Sequence, residues 1–346
     1  MAGSQNIWRH CFTKVQKLFS PSPRLAIVIL NCNRCKDTIA CLESICSSAP
    51  GSYGVIIVDN LSLDDSVAEL KRWMQNYLPP LTESSWSGML KTSTINDGQA
   101  CARPGITLLE ARNNSGFSGG NNLGIRYALE LGATWILLLN NDTIVACDAL
   151  ERLVKGAEGA GAHLAGGAVY EYADASKAWY LGGKFSWWGD KDLKCMRKGA
   201  TEAQGTIETD WITGCCMLVR REVFERIGLL DENSFLYCED ADFCRRAARV
   251  GFRRILVLGS KIYHKVGRSA GVESALARYH FTRSRVYFHG KHYSLPAHAS
   301  FLFIFSLSRC LKGCCWLLQG RSDLVRATLR GLWDGMLGKV KASCPY

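Results

Sequence analysis

An aspartate that closes a long apolar run is the most distinctive chemical feature of this chain. Trp135–Leu139 is wholly apolar, and Asn140, Asn141 and Asp142 follow it directly. A strand buried on both faces of a parallel sheet has this apolar character, and such sheets bind ligands beyond the carboxyl ends of their strands. The abrupt change to oxygen-bearing side chains therefore predicts that Asp142 lies at the rim of an active site. The alternative is a strand that ends in an Asx turn.

A second group of carboxylates occurs later in the chain. Glu239, Asp240 and Asp242 separate the stretch Phe235–Tyr237 from an amphipathic segment that runs to Gly251. Carboxylates at a helix start are often caps that the helix macrodipole favours. This cluster alone therefore predicts either a helix cap or a chemically active group.

Alternating strands and helices must position these groups. The predicted strands are Leu25–Leu30, Val55–Val58, Ile106–Leu109 and Trp135–Leu139, and the predicted helices begin near Asp37, cover Ser66–Tyr77 and follow Gly119 and Gly120. This alternation predicts a doubly wound, mostly parallel sheet. Pro79–Pro104 lacks periodicity and is predicted to be an inserted surface loop. The shorter apolar runs of Gly166–Phe185 and Gly205–Val219 indicate strands and loops lying across a cleft.

The composition fits one large α/β domain with appendages, or two smaller domains. The 346 residues are 47% hydrophobic and 21% charged, with a net charge of +11. The chain can bury a sizeable core, and its charge favours anionic partners such as nucleotide diphosphates or an anionic membrane surface. Its basic residues are scattered, without a recognised nucleic-acid module, so no nucleic-acid partner is predicted. The 16 cysteines lack the spacing of a zinc site or disulfide scaffold, which indicates reduced thiols and a cytoplasmic location.

The order of the motifs resembles that of the family 2 glycosyltransferases, and within that group their rhamnosyltransferase-like members. The matching segments are ILNCNR, IIVDNLSLDDS, NNSGFSGGNNLGI, ILLLNNDT, ITGCCMLVRREVFERIGLLDE and YCEDADFCRRAARVGF. The resemblance covers Arg24–Ser269. It implies a GT-A fold, with a Rossmann-like, mostly parallel central sheet, flanking helices and a C-terminal helical extension. It also implies inverting transfer of a sugar, with dTDP-rhamnose favoured as the nucleoside diphosphate sugar, to a hydroxyl of a glycan or lipid-linked glycan.

The resemblance and the sequence pattern together divide the chain into three parts. Residues 1–23 are predicted to form a basic amphipathic leader, residues 24–270 the catalytic domain, and residues 271–346 a helical region. Within the catalytic domain, residues 24–145 are expected to bind the nucleotide and residues 146–270 to face the acceptor.

The resemblance implies that a divalent metal, Mg²⁺ or Mn²⁺, neutralises the diphosphate leaving group. Asp142 matches the metal ligand, although many relatives carry Asp-x-Asp where this chain has two asparagines before the acid. His264, in the motif YHKVGRS, resembles a later position that meets the metal or the diphosphate. A purely structural histidine is the alternative.

Direct displacement needs a base that removes the proton of the acceptor hydroxyl, and Asp240 matches the position of that base in the family. Glu239 is a second catalytic candidate that would contact the acceptor, and neighbouring carboxylates would raise the proton affinity of Asp240. Asp242 is assigned to substrate binding or to a helix cap. Trp211 and Gly214 are expected to border the donor-sugar or acceptor cleft, with a core position as the alternative for Trp211.

The nucleotide is expected at the carboxyl ends of the first strands, where Asp59 resembles an acid that binds the base or ribose. The glycines of Gly116–Asn122 would let the backbone approach the ligand closely, although their spacing is not the dinucleotide fingerprint. The residues predicted to contact the nucleotide are Asn31, Asn33, Arg34, Asp59, Asn60, Gly119, Asn121, Asn140 and Asn141.

The segment Leu295–Gln319 is predicted to form a helix in the plane of a membrane, because Arg309 and Lys312 interrupt it short of the ~20 apolar residues of a span. Such a helix would hold the enzyme peripherally on the inner face of the cell membrane, near a lipid-linked acceptor. The alternative is a helix packed on the catalytic domain or in a homodimer interface. Two other functions stay open: a sugar-nucleotide hydrolase or nucleotidyltransferase, and a non-catalytic nucleotide-sugar or glycan-binding protein of the same fold.

Overall fold

The computed structural model describes residues 24–48, 53–77, 82–86, 90–95, 105–186, 189–192, 205–265 and 274–338. The predicted leader 1–23 and the predicted domain boundary after residue 270 lie outside these ranges.

Strands and helices alternate through the first half, as the sequence predicts. The strands are β1 (Leu25–Asn31), β2 (Tyr53–Asp59), β3 (Thr82–Trp86), β4 (Leu90–Ile95), β5 (Gly105–Glu110), β6 (Trp135–Asn140), β7 (Thr143–Val145), β8 (Leu164–Glu171), β9 (Ala178–Tyr180), β10 (Gly183–Ser186), β11 (Gly189–Asp192), β12 (Thr206–Glu208), β13 (Cys216–Arg220) and β14 (Arg254–His264). The helices are α1 (Cys35–Cys46), α2 (Ser66–Tyr77), α3 (Gly116–Glu130), α4 (Ala149–Gly159), α5 (Arg221–Ile227), α6 (Glu239–Arg249), α7 (Ala275–His292), α8 (Leu295–Leu318) and α9 (Ser322–Met336).

One large sheet organises the described part of the chain, in the order β12-β14-β8-β13-β6-β1-β2-β5-β4-β3. At its centre β6, β1, β2 and β5 run parallel, and their apolar side chains are buried. The register pairs Asn31 with Asp59, Asp59 with Glu110, and Leu30 with Asn140. The polar ends of these strands therefore lie along one edge of the sheet. The predicted α/β fold with a mostly parallel central sheet is confirmed.

Two parts of the sheet differ from the sequence predictions. Within the predicted surface loop, β3 and β4 form an antiparallel hairpin that continues the sheet from β5. Thr92, Ser93 and Thr94 are buried there, so hydroxyl side chains hid the apolar pattern of a strand. The second half, predicted to lie across a cleft, instead extends the sheet through β13, β8 and β14.

Glycines let α3 pack closely on the sheet. A Cβ atom on Gly124 would lie 2.4 Å from Cγ1 of Val28 and 3.1 Å from Cγ2 of Val58. Gly116, where the helix begins, has a φ of +72°, and a Cβ there would lie 2.3 Å from the carbonyl oxygen of Phe235. Gly116 and Gly124 therefore serve helix packing, and the approach of the turn Gly116–Asn122 to the nucleotide stays a prediction.

Helix α7 packs against the segment 231–242, which leads into α6. Arg283 donates a hydrogen bond to the carbonyl of Asn233 at 2.6 Å, and the Ser284 hydroxyl donates to that of Leu236 at 2.8 Å. Helix α9 covers α7 closely, because a Cβ on Gly331 would lie 2.7 Å from a carbonyl oxygen of α7. The C-terminal helices thus support a segment that carries the predicted catalytic acids.

Helix α8 leaves most of its apolar surface uncovered. Its buried residues are Phe301, Phe305, Gly313 and Trp316. Other apolar side chains are largely exposed, among them Phe303 (73%), Leu307 (54%) and Leu311 (66%). By length and composition alone, α8 could cross a membrane. A contiguous exposed apolar face of this kind is typical of surfaces that contact a membrane or a protein partner.

Candidate active site

A chain of side-chain hydrogen bonds runs along the polar edge of the sheet. Nδ2 of Asn141 donates to Oγ1 of Thr38 at 3.0 Å, and this hydroxyl donates to Oδ1 of Asn31 at 2.7 Å. Nδ2 of Asn31 donates in turn to Oδ1 of Asp59 at 2.8 Å. The backbone N–H of Ser62 donates to Oδ2 of Asp59 at 2.9 Å. Because the chain joins the ends of β6, β1 and β2, it fixes the position of Asp59.

The sequence predicted that Asn31 and Asn141 contact the nucleotide, but in the structure both side chains position other residues. Asn31 is fully buried and Asn141 is 8% exposed, and hydrogen bonds within the protein engage both side chains. Asp59 is 3% exposed and accepts three hydrogen bonds, from Asn31 and from the N–H and hydroxyl of Ser62, which leaves about one of the four acceptor sites of a carboxylate. The nucleotide contacts of Asp59 and of the partly buried Asn140 stay predictions.

Asn60, Gly119 and Asn121 are also buried. Nδ2 of Asn60 donates to Oδ1 of Asn114 at 3.0 Å, and its Oδ1 accepts from the N–H of Ser115 at 3.1 Å. Asn60 thereby fixes the turn before α3. Gly119 is buried within α3, and Asn121 donates to a backbone carbonyl of the same helix at 2.9 Å. These residues shape the protein around the nucleotide region, and we withdraw their predicted ligand contacts.

Asn33 and Arg34 lie at the surface beyond β1. Asn33 is exposed, and its Oδ1 accepts a hydrogen bond from the N–H of Leu63 at 2.7 Å. Nε of Arg34 donates to Asp37 at 2.9 Å, and Nζ of Lys265 lies 3.0 Å from the same carboxylate. Although burial alone would raise it, these two cations hold the pKa of Asp37 below its ordinary value. The nucleotide contacts of Asn33 and Arg34 stay predictions.

Asp142 and His264 face each other at the end of the sheet. Nε2 of His264 lies 3.0 Å from Oδ1 of Asp142, and the two side chains are 8% and 4% exposed. Antiparallel pairing of β14 with β7 places His264 opposite Thr143, which follows the aspartate. The ring of Trp179 packs edge-on against the imidazole at 4.6 Å between centroids. The fold therefore brings together the two residues that the sequence proposed as metal ligands.

This pair fits two ligands of one divalent cation. Ligands at right angles around an ion at about 2.1 Å lie about 3.0 Å apart, as Nε2 and Oδ1 do here. Carboxylate oxygen and imidazole nitrogen are both ordinary ligands of divalent metals. Among the described residues there is no group of three or more His, Cys, Asp or Glu that could hold a metal ion.

Asp240 stands in the first turn of α6, beside the loop before β13. The N–H of Gly214 donates to Oδ2 of Asp240 at 2.9 Å. A Cβ on Gly214 would lie 3.2 Å from the ring of Phe117, so the site is narrow there. The next residue is Cys215, whose thiol pKa is raised well above its ordinary value, by burial first and also by the charges of Asp142 and Asp240. The loop therefore lies within electrostatic range of both acids.

Glu239 is a buried acid beside Asp240. It is 5% exposed, and its Oε2 has no hydrogen-bond partner in the described part of the chain. Burial, followed by the charges of Asp240 and Asp242, raises the pKa of Glu239 well above its ordinary value. Tyr237 and Cys238, just before it, have φ values of 70° and 64°, which non-glycine residues adopt at a cost. A raised pKa suits Glu239 to donate a hydrogen bond better than to act as a base.

Asp242 belongs to a buried ion-pair network, where the sequence predicted a substrate contact or a helix cap. It is 2% exposed and lies 2.8 Å from Nε of Arg246, 2.7 Å from Nζ of Lys291 and 2.7 Å from Nε2 of His292. Although burial alone would raise it, these partners hold the pKa of Asp242 far below its ordinary value. The network ties α6, which carries Asp240, to the end of α7. We therefore assign Asp242 a positioning role.

Trp211 takes the core position that was the alternative to a cleft position. It is 8% exposed, and its ring lies 5.1 Å from that of Tyr180. A Cβ on Gly183 would lie 1.8 Å from its Nε1, so the indole packs directly on that glycine. We withdraw the predicted substrate contact of Trp211. Gly214 stays a candidate for the cleft because it holds Asp240.

No sequence pattern pointed to Thr38, Lys265, Lys291 or His292. Thr38 lies in the first turn of α1, after the polar end of β1, and many residue types are compatible with that position in a helix. Lys291 and His292 close a basic, aromatic stretch, but their partner Asp242 is distant in sequence. The signal for each lies in its contacts and not in its spacing.

Comparison with known proteins identifies enzymes that resemble this chain. The family described as glycosyltransferase like family 2 matches residues 87–284. The low-salt glycan biosynthesis hexosyltransferase Agl10 of Haloferax volcanii is 25% identical over 228 residues, which are 65% of this chain and 62% of that protein. The dTDP-rhamnosyl transferase RfbF of Shigella flexneri is 25% identical over 219 residues, which are 62% of this chain and 69% of that protein. The N-acetylglucosaminyl-diphospho-decaprenol L-rhamnosyltransferase of Mycobacterium tuberculosis is 36% identical over 72 residues, which are 20% of this chain and 24% of that protein. The matched region thus spans less than two thirds of Agl10.

Two solved structures share the fold. One is the mannosyltransferase PcManGT of Pyrobaculum calidifontis, in complex with GDP-Man and Mn²⁺. Its TM-score is 0.54 at 15% identity, and the match covers 95% of this chain and 94% of the PcManGT chain. The other is GalNAc-T7 with UDP, GalNAc and Mn²⁺. Its TM-score is 0.55 at 14% identity, and the match covers 78% of this chain and 48% of the GalNAc-T7 chain. The expected GT-A fold is confirmed.

Proposed function

This chain belongs to the glycosyltransferase like family 2, and we propose that it transfers rhamnose, with inversion, from dTDP-rhamnose to a hydroxyl of a lipid-linked glycan. The names of two relatives, a dTDP-rhamnosyl transferase and an L-rhamnosyltransferase with a diphospho-decaprenol acceptor, support this donor and acceptor. The observation that carries the mechanism is the loop at Gly214 and Cys215, which contacts Asp240 and also accepts, at the Cys215 carbonyl, a 3.0 Å hydrogen bond from the N–H of Asn140, two residues before Asp142.

Asp142 and His264 would hold Mg²⁺ or Mn²⁺ together with the donor diphosphate. The bound metal would supply positive charge that stabilises the leaving diphosphate. Because the protein contributes two candidate ligands here, metal affinity would depend strongly on the nucleotide. Asp59 would accept a hydrogen bond from the base or ribose, and the chain through Asn31 and Thr38 would keep it in place.

Asp240 would act as the general base. It would accept the proton of the acceptor hydroxyl while that oxygen forms a bond to the anomeric carbon and the bond from this carbon to the diphosphate oxygen breaks. Attack from the face opposite the leaving group inverts the configuration. The N–H of Gly214 orients the carboxylate, and a neutral Glu239 would donate a hydrogen bond to the acceptor.

The exposed apolar face of α8 would lie on the inner surface of the cell membrane and bring the cleft to a lipid-linked acceptor. Flotation with phosphatidylglycerol vesicles tests this for the full chain. Phe303→Ser with Leu311→Ser should reduce binding, and Val250→Ser, which removes an exposed apolar side chain outside α8, should leave it unchanged. Equal binding by all proteins would contradict the membrane assignment.

Mass spectrometry of reactions with a panel of nucleotide sugars tests the proposed transfer. The expected product is acceptor plus one rhamnose, formed with dTDP-rhamnose and a divalent metal. Donor cleavage at the same rate without acceptor would favour a hydrolase. Saturable donor binding without turnover over the whole panel would favour a non-catalytic binding protein.

A further inference from the structure

A cluster of cations lies between α7 and α8, and we call it the arginine cluster. Each member lies over an aromatic ring. The distances to the ring centroids are 5.0 Å for Arg278 over Trp316, 5.9 Å for Arg285 over Phe305, 5.1 Å for Arg309 over Phe305 and 5.4 Å for Lys312 over Trp316. Aromatic faces stabilise cations modestly, but they do not neutralise charge.

The members of the arginine cluster repel one another. Burial lowers the pKa of the Arg309 guanidinium, and the charges of Arg278 and Arg285 lower it further. Nε of Arg278 is buried without a hydrogen-bond partner among the described residues. Within the same ranges, Arg278, Arg309 and Lys312 form no ion pair with a carboxylate. Arg278 and Arg309 are thus partly buried cations that form no ion pair within these ranges, and such cations favour the binding of an anion.

The position of the arginine cluster indicates which anion it would bind. A cavity of about 200 Å³ is lined by Tyr237, Ala277, Arg278 and Phe281. Tyr237 belongs to the segment that leads into Glu239, and Arg278 belongs to the arginine cluster, so the cavity lies between the two. Burial raises the pKa of Tyr237, the charge of Glu239 raises it further, and the charge of Arg278 lowers it. On its other side the cluster adjoins α8, whose outer face is apolar and exposed.

We propose that the arginine cluster binds the phosphate or diphosphate group of a lipid-linked acceptor. The glycan of that acceptor would reach Asp240 through the cavity, and its lipid would lie along the exposed face of α8. Guanidinium groups suit this ligand because they donate paired hydrogen bonds to phosphate oxygens. The inference rests on the proposed transfer to a lipid-linked acceptor, but its test requires neither a donor sugar nor turnover.

Binding of farnesyl diphosphate to the full chain tests the proposal, with farnesol and inorganic diphosphate as the comparison ligands. The wild-type protein should bind farnesyl diphosphate more tightly than either. Arg278→Gln with Arg309→Gln should weaken this binding at least about tenfold, the effect of losing one charged hydrogen bond. Arg278→Lys, which keeps the charge over Trp316, should retain part of the affinity. Arg326→Gln, an exposed position on α9, should match the wild type.

Titration of dTDP with Mn²⁺ in the same samples separates this inference from the proposed function. Normal dTDP binding with lost farnesyl diphosphate binding supports the arginine cluster, and it also shows that the variant is folded. Unchanged farnesyl diphosphate affinity in the double variant would overturn the inference and leave the proposed transfer standing. Equal affinity for farnesol, or full displacement of the ligand by phosphatidylglycerol vesicles, would also overturn it, because the site would then recognise lipid or any anionic headgroup.

Discussion

Nε2 of His264 lies 3.0 Å from Oδ1 of Asp142, and neither side chain is more than 8% exposed. The pairing of β7 with β14 sets this distance, since it places His264 beside the residue that follows the aspartate. Asn140 and Asn141, which carry no charge, precede Asp142. An imidazole would thus serve as the second ligand, and the site would have less negative charge than a pair of carboxylates with which to hold a metal alone.

Asp142→Asn and His264→Gln should each weaken Mn²⁺-dependent binding of dTDP by about tenfold or more, because each variant loses one of two protein ligands. Calorimetric titration of dTDP with Mn²⁺, repeated with a chelator, measures this. In the chelator the variants should resemble the wild type. Asp148→Asn removes an exposed acid paired with Arg152 and serves as the control. Full Mn²⁺-dependent affinity in both site variants would rule out this pair as the metal site.

Asp240→Asn should reduce kcat by about 10²- to 10⁴-fold, the usual contribution of a general base, and leave the KM for the donor within about threefold. The amide keeps an oxygen that can accept the hydrogen bond from Gly214, so the loop should stay in place. Steady-state kinetics with varied donor measures both constants, and Asp174→Asn, on an exposed turn, controls for general effects. Near-normal transfer by the Asp240 variant would refute its role as base.

Glu239→Gln should change the pH dependence of stability. Because burial raises the pKa of Glu239 in the folded state, the unfolded chain loses this proton at lower pH. The folded state then binds more protons, and the free energy of unfolding falls as pH rises above about 4.3, the ordinary pKa of glutamate. Glutamine has no such proton, so the fall should be smaller in the variant.

Thermal unfolding between pH 4.5 and pH 8 measures this difference. Asp242 does not obscure it, since its lowered folded-state pKa changes stability only at lower pH. Parallel curves for the wild type and Glu239→Gln would show that Glu239 is ionised in the folded protein.

Asp242→Asn should cost about 3–5 kcal/mol of unfolding free energy, as for breaking a buried ion pair, because Lys291 and His292 lose their shared carboxylate. Asp148→Asn breaks an exposed pair and should cost no more than about 1 kcal/mol. Urea denaturation measures both. Similar losses for the two variants would contradict the assigned role of Asp242.

The sequence predicts the central sheet well because β1, β2 and β6 are each built on an uninterrupted apolar run. Trp135–Leu139 and Val55–Val58 are buried as expected, and the acids that follow them lie at the predicted edge of the sheet. The hairpin of β3 and β4 escaped prediction because Thr92 and Thr94 are buried hydroxyl residues that show no apolar alternation.

Site residues are harder to predict because polar groups at strand ends serve two purposes. Asn31 and Asp59 have the same kind of position, yet Asn31 is fully buried and holds the carboxylate of Asp59. The residue type alone does not show whether a side chain contacts the ligand or positions another residue that does. Asp240 and Asp242 show the same ambiguity, since they lie in one helical turn but only Asp242 contacts Lys291 and His292 of α7.

The packing role of the glycines in α3 has a direct test. Gly124→Ala should lower the free energy of unfolding by about 1–3 kcal/mol, the usual cost of overpacking a core, because its Cβ would lie 2.4 Å from Val28 and 3.1 Å from Val58. Both valines are fully buried and branched at Cβ, so they cannot turn away easily. Gly159→Ala, in α4, meets no atom within 4 Å and should be neutral or stabilising by up to about 1 kcal/mol. Chemical denaturation compares the two. If Gly124→Ala were as stable as the control, then the helix would have room to move off the sheet, and the conclusion that this segment is glycine-rich for packing would be wrong.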